Sequence, residues 1–420
     1  MKSILKFLLA LILPYAHPFE KKVEKFLRKL KPDSFNDVVQ KQLLELMQEN
    51  LAILNLYLEW KSRQYKYLKK RKRRKRYEDL EKLKTDFLQN VDLSANYTQE
   101  IINELKIKNL SYPVNKEKEL NYLWQIMKYL EPGKKFTYQE STSFGHLLQN
   151  PLEAKLIGDC NQIVTLYAYF YSLKFPLSDL KIKILPEHVC LHFEDLDIEA
   201  TNGHFAKYTE NEQILTITEI ISTNLLDVSD QREKQEQISP KVMLKSAQLA
   251  YKISSNKDLV SKNLNIAYRN LAISEMNANN FEEAIYFVKQ CNDRELLLKA
   301  YYNATVYYLN NKNFKKAHFY SRLHGDQELQ TKVTLYEGHF YYEKNNLKDA
   351  LQIFRKLGKH EMIKACLQKQ YFDLYQKIKN VKTIKEAKSY KSIYQKLLSL
   401  GQEMQDQEKE KWVRDILGKI

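Results

Sequence analysis

The chain has 420 residues, 44% hydrophobic and 29% charged, with a formal net charge of +16. That balance excludes a disordered chain and allows two or three domains, each large enough to bury a core. Nine Gly and nine Pro leave few turns, so helix is expected over most of the length, and four Cys are no disulfide framework but point to a reducing compartment.

At the start, Lys2 and Lys6 flank the apolar run Phe7 to Leu13, followed by Pro14-Tyr15-Ala16. The run resembles a short secretory signal, is far too short to span a bilayer, and fits a buried or membrane-surface helix nearly as well. A cytoplasmic location is favoured, with secretion or membrane association left open. Residues 17–108 read as helix nearly throughout. Asp33-Ser34 suits a helix start, and apolar spacing continues through Val38, Val39, Leu43, Leu44, Met47, Leu51, Leu54 and Leu58. On the same helix or at its end, eleven basic residues and no acid lie between Lys61 and Arg76, closing in the unbroken run Lys69 to Arg76. A solvated helix face and a nonspecific contact with an anionic membrane or nucleic acid are both open; no nucleic-acid fold motif accompanies the run. Ser111-Tyr112-Pro113 marks a boundary, and two further helices are expected before Glu131-Pro132-Gly133.

From Phe136 the texture changes. An apolar helix, Ile163 to Leu173, is expected after Gly158-Asp159-Cys160, then short strands at 181–185, 188–193, 196–201 and 214–217. The fold class is therefore mainly α with a small α+β domain. The expected division is a helical region at 1–110, the α+β domain at 112–228, a polar linker at 229–240 and a helical array at 241–420.

Cys160 opens the apolar helix with Asp159 placed to cap it, where free N–H groups and the helix dipole favour a thiolate and can stabilise an oxyanion. A nucleophilic sulfur needs a base, and the base an orienting group. The strands 188–193 and 196–201 read as a tight hairpin about Glu194-Asp195, with a connection of two or four residues. Alternation puts Val189, Leu191, Phe193, Leu196, Ile198 and Ala200 on one face and His188, Cys190, His192, Asp197, Glu199 and Thr201 on the other. That polar face also reads as a simple exposed face of an edge hairpin. Residue type alone permits a metal site at His188, Cys190 and His192, but no second ligand pair matches it; no metal and no cofactor is expected. Cys291 and Cys366 fall in repeat helices as packing residues, and His318, His324, His339 and His360 lack ligand spacing. No Gly-rich phosphate loop occurs.

Beyond Pro240 a repeat appears. Asn280-Phe281-x-x-Ala284, Asn313-Phe314-x-x-Ala317 and Asn346-Leu347-x-x-Ala350 recur at a spacing of 33, and Ala272, Thr305 and Gly338 stand twelve residues before each Ala. Tyr308 and Tyr341 follow the last two by three residues. Small side chains let paired helices approach, and units this small bury their apolar faces only by stacking.

Two resemblances follow. The small residue of one helix and the Ala of the next resemble the tetratricopeptide repeat, which implies an array that binds a protein or peptide. The period of 33 rather than 34 and the missing closing Pro depart from that pattern. Gly158-Asp159-Cys160 before a helix, then His188 opening one strand and Glu199-Ala200-Thr201 closing the next, resembles the transglutaminase-like superfamily over about 120–225. That resemblance implies Cys160 as nucleophile, His188 as general base and acid, and Glu199 as orienting carboxylate, where the family usually has Asp followed by Pro-Thr. His192 with Asp197 is the rival pair, and Gln139 a candidate oxyanion partner. The function implied is thiol-dependent acyl transfer or amide hydrolysis on a protein or peptide; the alternative is an inactive domain of the same fold serving as a scaffold.

Overall fold

The computed structural model describes residues 14–32, 35–140, 143–209, 212–227 and 238–420. The apolar run Phe7–Leu13, the Asp33-Ser34 helix start and most of the 229–240 linker lie outside the described residues. The chain is mostly helical with a small sheet region, and it divides into two compact units, 1–271 and 272–420.

In the first unit, α1 (Pro18–Leu27) and α2 (Asp37–Arg63) precede the basic run. Asn36 caps α2 through Val39 N–H. At Asn50 the helix kinks; that residue is extended, and its side chain accepts from Ile53 N–H, recapping the second half. Gln64 then ends α2 in the left-handed region. The basic run does not continue α2; it opens a new helix, α3 (Lys70–Asn90), which is followed by α4 (Thr98–Ile107) and α5 (Glu117–Tyr129). Between Pro113 and Glu131 there is one helix rather than the two expected, because the 13 residues of α5 fill the interval.

Arg73, in the middle of the basic run, is fully buried against the equally buried Glu20, with Nε–Oε1 2.7 Å and Nη2–Oε2 3.2 Å. Its guanidinium stacks 3.8 Å from the Trp60 ring and also donates to the Leu68 and Pro14 carbonyls. Tyr77 donates to Glu20 as well. A buried charge is tolerable only when paired and hydrogen-bonded like this. Lys69, Arg71, Lys72, Arg74 and Lys75 are exposed.

Strand β1 (Phe136–Tyr138) pairs in parallel with β2 (Leu156–Gly158), with the single-turn α6 (Phe144–Leu147) between them. Next come α7 (Cys160–Ser172) and an antiparallel sheet of β3 (Leu180–Leu185), β4 (His188–Phe193), β5 (Leu196–Glu199), β6 (His204–Ala206) and β7 (Gln213–Thr216). The spatial order is β6-β5-β4-β3-β7. The short β1, β2 and β6 carry no alternation long enough to be read from sequence. The β4–β5 connection has two residues, since Phe193 pairs with Leu196, and Glu194 takes a positive φ of 53° to make it. The expected apolar face packs on helices, with Phe193 against Tyr171 of α7, and Phe205 of the unexpected strand β6 stacks on Trp124 of α5.

Two helices follow, α8 (Glu219–Leu226) and α9 (Pro240–Ile253), which pack on each other and on α2. One hydrophobic core runs from Phe19 to Val260, so the N-terminal helices, the sheet and the helix around Ala250 share it.

The division of the chain falls inside α10 (Lys257–Asn277). The second unit continues with α11 (Phe281–Cys291), α12 (Arg294–Asn310), α13 (Phe314–His324), α14 (Gln327–Glu343), α15 (Leu347–Lys356) and α16 (His360–Gln376). It closes with α17 (Ile384–Ser389), α18 (Lys391–Glu403) and α19 (Gln407–Leu417). The 33-residue period holds to the residue: helices begin at 281, 314 and 347, and at 294, 327 and 360. Left-handed turn residues recur at Asn279, Lys312 and Asn345, and at Asn292, Gly325 and Gly358. Ala284, Ala317 and Ala350 are fully buried. Phe281 meets Tyr308 at 6.2 Å as Phe314 meets Tyr341 at 6.3 Å, so the aromatic contacts repeat as well. At Gly338 an added Cβ would lie 2.9 Å from Ile353 and Phe354 of the next helix, which is why the small residue stands there.

Candidate functional site

The start of α7 is fixed by a reciprocal cap. Asp159 Oδ1 accepts from Asn161 N–H at 2.9 Å and Gln162 N–H at 3.4 Å, while Gln162 Oε1 accepts from Asp159 N–H at 2.7 Å. This arrangement uses the second and third N–H groups of the helix. Among the described residues the Cys160 N–H makes no hydrogen bond, as expected of the first N–H of a helix. Asn161 and Gln162 side chains both reach Asp227 Oδ2, tying the turn to the end of α8.

His188 stands at the first position of β4, at the end of the sheet. Its Nε2 lies 2.6 Å from Glu199 Oε2, and Cys160 is near enough to be the first influence on its titration. Sequence order thus brings Cys160, His188 and Glu199 into one connected line. The Cys160 bond first, and the Glu199 bond second, push the His188 ring up to about 10 from its ordinary 6.5, against the opposing effect of burial. The Cys160 side chain is largely but not wholly covered, at 8% exposure, and the His188 ring is 27% exposed, so solvent reaches this end of the line.

Glu199 is buried at 2% exposure, and four donors satisfy it. His188 and the Tyr208 hydroxyl (2.9 Å) address Oε2; Thr201 N–H (3.1 Å) and the Thr201 hydroxyl address Oε1. Burial alone would raise its pKa, but the bonds from His188 and Thr201 outweigh it and hold the carboxyl down at about 2. The Glu-Ala-Thr triplet therefore builds the carboxylate's own support: Thr201 turns back onto the residue two before it.

The rival pair is also formed, yet elsewhere. His192 Nδ1 lies 2.7 Å from Asp197 Oδ1. Asp197 is fully buried and also receives Lys183 Nζ at 2.9 Å and Tyr208 N–H at 2.7 Å. Burial would raise Asp197, but its bonds from His192 and Lys183 lower it. Lys183 is 3% exposed and pairs with Glu212 too. Cys190 lies on the same face, and burial, followed by the charges of Asp197 and Glu199, pushes its thiol well up. That combination suits structure rather than nucleophilic attack. The reading of this face as an exposed edge is overturned: Cys190, His192, Asp197 and Glu199 are all buried. Among the described residues no group of three or more His, Cys, Asp or Glu is arranged to hold a metal ion.

Upstream, Tyr138 pairs with Gly158, and Gln139 N–H donates to the Gly158 carbonyl at 2.9 Å, placing both residues beside the Cys160 turn. The Tyr138 hydroxyl is raised by burial and then by the charges of Cys160 and Asp159. Tyr208, Lys183 and Tyr138 were not singled out from sequence. Lys183 shares its strand and face with Lys181, so no local signal singled it out, and the two tyrosines are ordinary in a chain with 29.

No family model, curated protein or solved structure matches the chain.

Proposed function

We propose that the first unit carries a thiol-dependent centre of the transglutaminase-like type, acting by acyl transfer or amide hydrolysis on a protein or peptide. The 33-residue helical repeat of the second unit, of tetratricopeptide type, docks that substrate or an assembly partner. The observation that supports this most is His188 held between Cys160 and a buried, fully satisfied Glu199. In the proposed reaction the Cys160 thiolate attacks the amide carbonyl and the Cys160 N–H donates to the oxyanion. The proton of His188 passes to the leaving amine as the C–N bond breaks, giving a thioester. Water or an amine then attacks the thioester, loses its proton to His188, and frees the sulfur. Glu199 keeps the ring oriented and its positive form stabilised.

The test is labelling by a thiol-directed acyl probe with the modified residue mapped by mass spectrometry. Mapping matters because Cys291 is also partly exposed. Cys160→Ala is expected to abolish the acylated peptide containing residue 160 and the probe turnover. Turnover that persists unchanged removes Cys160 from the role.

A further inference from the structure

The apolar pattern of the repeat fails at one junction of the second unit, and there it leaves a cavity. Where α11, α12 and α13 meet, the wall is apolar: Ile285, Val288, Tyr301 and Ala304 are buried in one core. Two repeats later Leu351, Phe354 and Leu367 take the first three of these places and are buried again. Between them, at the same steps of 33, stand His318, Ser321, Thr334 and Glu337. The helices begin on the same period in all three repeats, so side chains alone make the difference. The two apolar cores accordingly stop at Tyr320 and resume at Ala350. In the gap α13, α14 and α15 enclose a cavity of about 490 Å³, lined by those four residues with Gln330 and Gln352. That volume is in the range of pockets that hold ligands.

Polar groups at a helix junction lose water without gaining apolar contact, so this repeat gives up stability that its neighbours keep. His318 Nε2 lies 2.8 Å from Glu337 Oε2, the Ser321 hydroxyl donates to the His318 carbonyl at 3.1 Å, and the Thr334 hydroxyl donates to the Gln330 carbonyl at 2.9 Å. Both hydroxyl oxygens keep their capacity to accept. Charge is placed unevenly around the cavity. Its two acids are engaged within the protein, Glu337 with His318 and Asp349 Oδ2 with Asn346 Nδ2 at 2.7 Å. Its cations Arg322 and Lys356 are exposed and have no carboxylate partner among the described residues. An anionic group entering here meets two unspent positive charges, with amides and hydroxyls beneath for its polar neighbours.

We propose that this cavity is the docking point of the helical array and that its occupant is an acidic stretch of peptide, with a side-chain carboxylate held by Arg322 and Lys356. The inference rests on the reading of the second unit as a docking array and adds to it the place and the charge of the partner.

The experiment is fluorescence anisotropy of the full chain with labelled peptides of alternating Glu and Ser, Gln and Ser, or Lys and Ser at physiological salt. The Glu peptide is expected to bind at least about tenfold more tightly than the other two. Arg322→Gln with Lys356→Gln is expected to weaken it at least about tenfold. Lys385→Gln with Lys388→Gln removes the same charge from exposed positions of α17 and should leave binding within about twofold. A second variant rebuilds the junction in the image of the one before it: His318→Ile, Ser321→Val, Thr334→Tyr and Glu337→Ala. It is expected to melt higher and to lose the Glu peptide while keeping both cations. Native-like binding by the rebuilt junction overturns the proposal, as does equal loss in the two Gln pairs or equal affinity for the three peptides. Displacement of the Glu peptide by succinate at equal carboxylate concentration assigns the cavity to a small dicarboxylate and likewise overturns it. If no peptide of any charge binds, the docking reading falls as well; if peptides bind but ignore these variants, only this inference falls.

Discussion

Cys160→Ser is expected to release His188 from its held protonation, and by more than Glu199→Gln does. In the native chain the ring keeps its proton up to about pH 10, through the Cys160 bond first and the Glu199 bond second. A serine preserves shape but removes the sulfur as the ring's partner, and with it the larger cause. Glu199→Gln leaves the sulfur in place and removes the smaller one. Loss of an opposite charge at hydrogen-bond distance moves a pKa by about 1 to 3, so Glu199→Gln should lower the midpoint by about that much, and Cys160→Ser, which removes the first cause, by more. The sign for stability follows. His188, raised on folding, contributes fully below its ordinary 6.5 and loses that contribution as pH rises through about 10. Glu199, depressed on folding, contributes above its ordinary 4.5 and loses it as pH falls through about 2. The pair's contribution is flat only between the ordinary values of 4.5 and 6.5, and Cys160→Ser should draw its alkaline edge inward. The assay is NMR of histidine-labelled protein across pH, with the His188 signal among the nine assigned by His188→Gln. A native ring that titrates near 6.5, or a larger fall in Glu199→Gln than in Cys160→Ser, would refute the reasoning.

Two further outcomes concern the framework. Arg73→Ala leaves Glu20 buried without its cation and should cost the first unit about 3 to 5 kcal/mol, whereas Arg71→Ala, exposed two residues away, should stay within about 0.5 kcal/mol; urea denaturation separates them, and equal effects would contradict the buried pair. Gly338→Val drives a side chain into Ile353 and Phe354 and should cost the second unit about 1 to 3 kcal/mol, more than the gain in helix propensity; an unchanged melting transition for that unit would mean the helices are not packed this closely.

How much was legible depended on the range of the interaction. The hairpin, its two faces and the Cys160 cap could be read because alternation and capping are local: β4 begins at His188 as expected and β5 at Leu196. The repeat was legible for the same reason, since a stacked unit writes its period into the chain. Alternation assigns a side chain to a face but not what covers that face. Tyr208 covers part of it from nine residues beyond Glu199, giving its hydroxyl to Glu199 and its N–H to Asp197, and nothing in the local pattern announces either bond. The run Lys69 to Arg76 misled in the opposite way. Eight like residues in a row suggest one solvated face, yet Arg73 is buried because its partner, Glu20, stands 53 residues earlier.

The buried polar face raises the question of why charges are kept there at all. Lys183, His192, Asp197 and Glu199 each lose water on folding, and an apolar set of similar volume would be no less stable, since desolvation consumes most of what ion pairs return. What the charges supply is fixed direction. Asp197 holds the Tyr208 backbone, the Tyr208 hydroxyl holds Glu199 Oε2, and Glu199 holds His188 Nε2, and both carboxylates are hydrogen-bonded on both oxygens. A carboxylate supported on one oxygen alone could rotate; Glu199 is gripped on both, by Thr201 on one side and Tyr208 with His188 on the other. Rigidity of this kind is what a positioned imidazole beside a sulfur requires. The second pair, His192 with Asp197, is joined to the first through Tyr208.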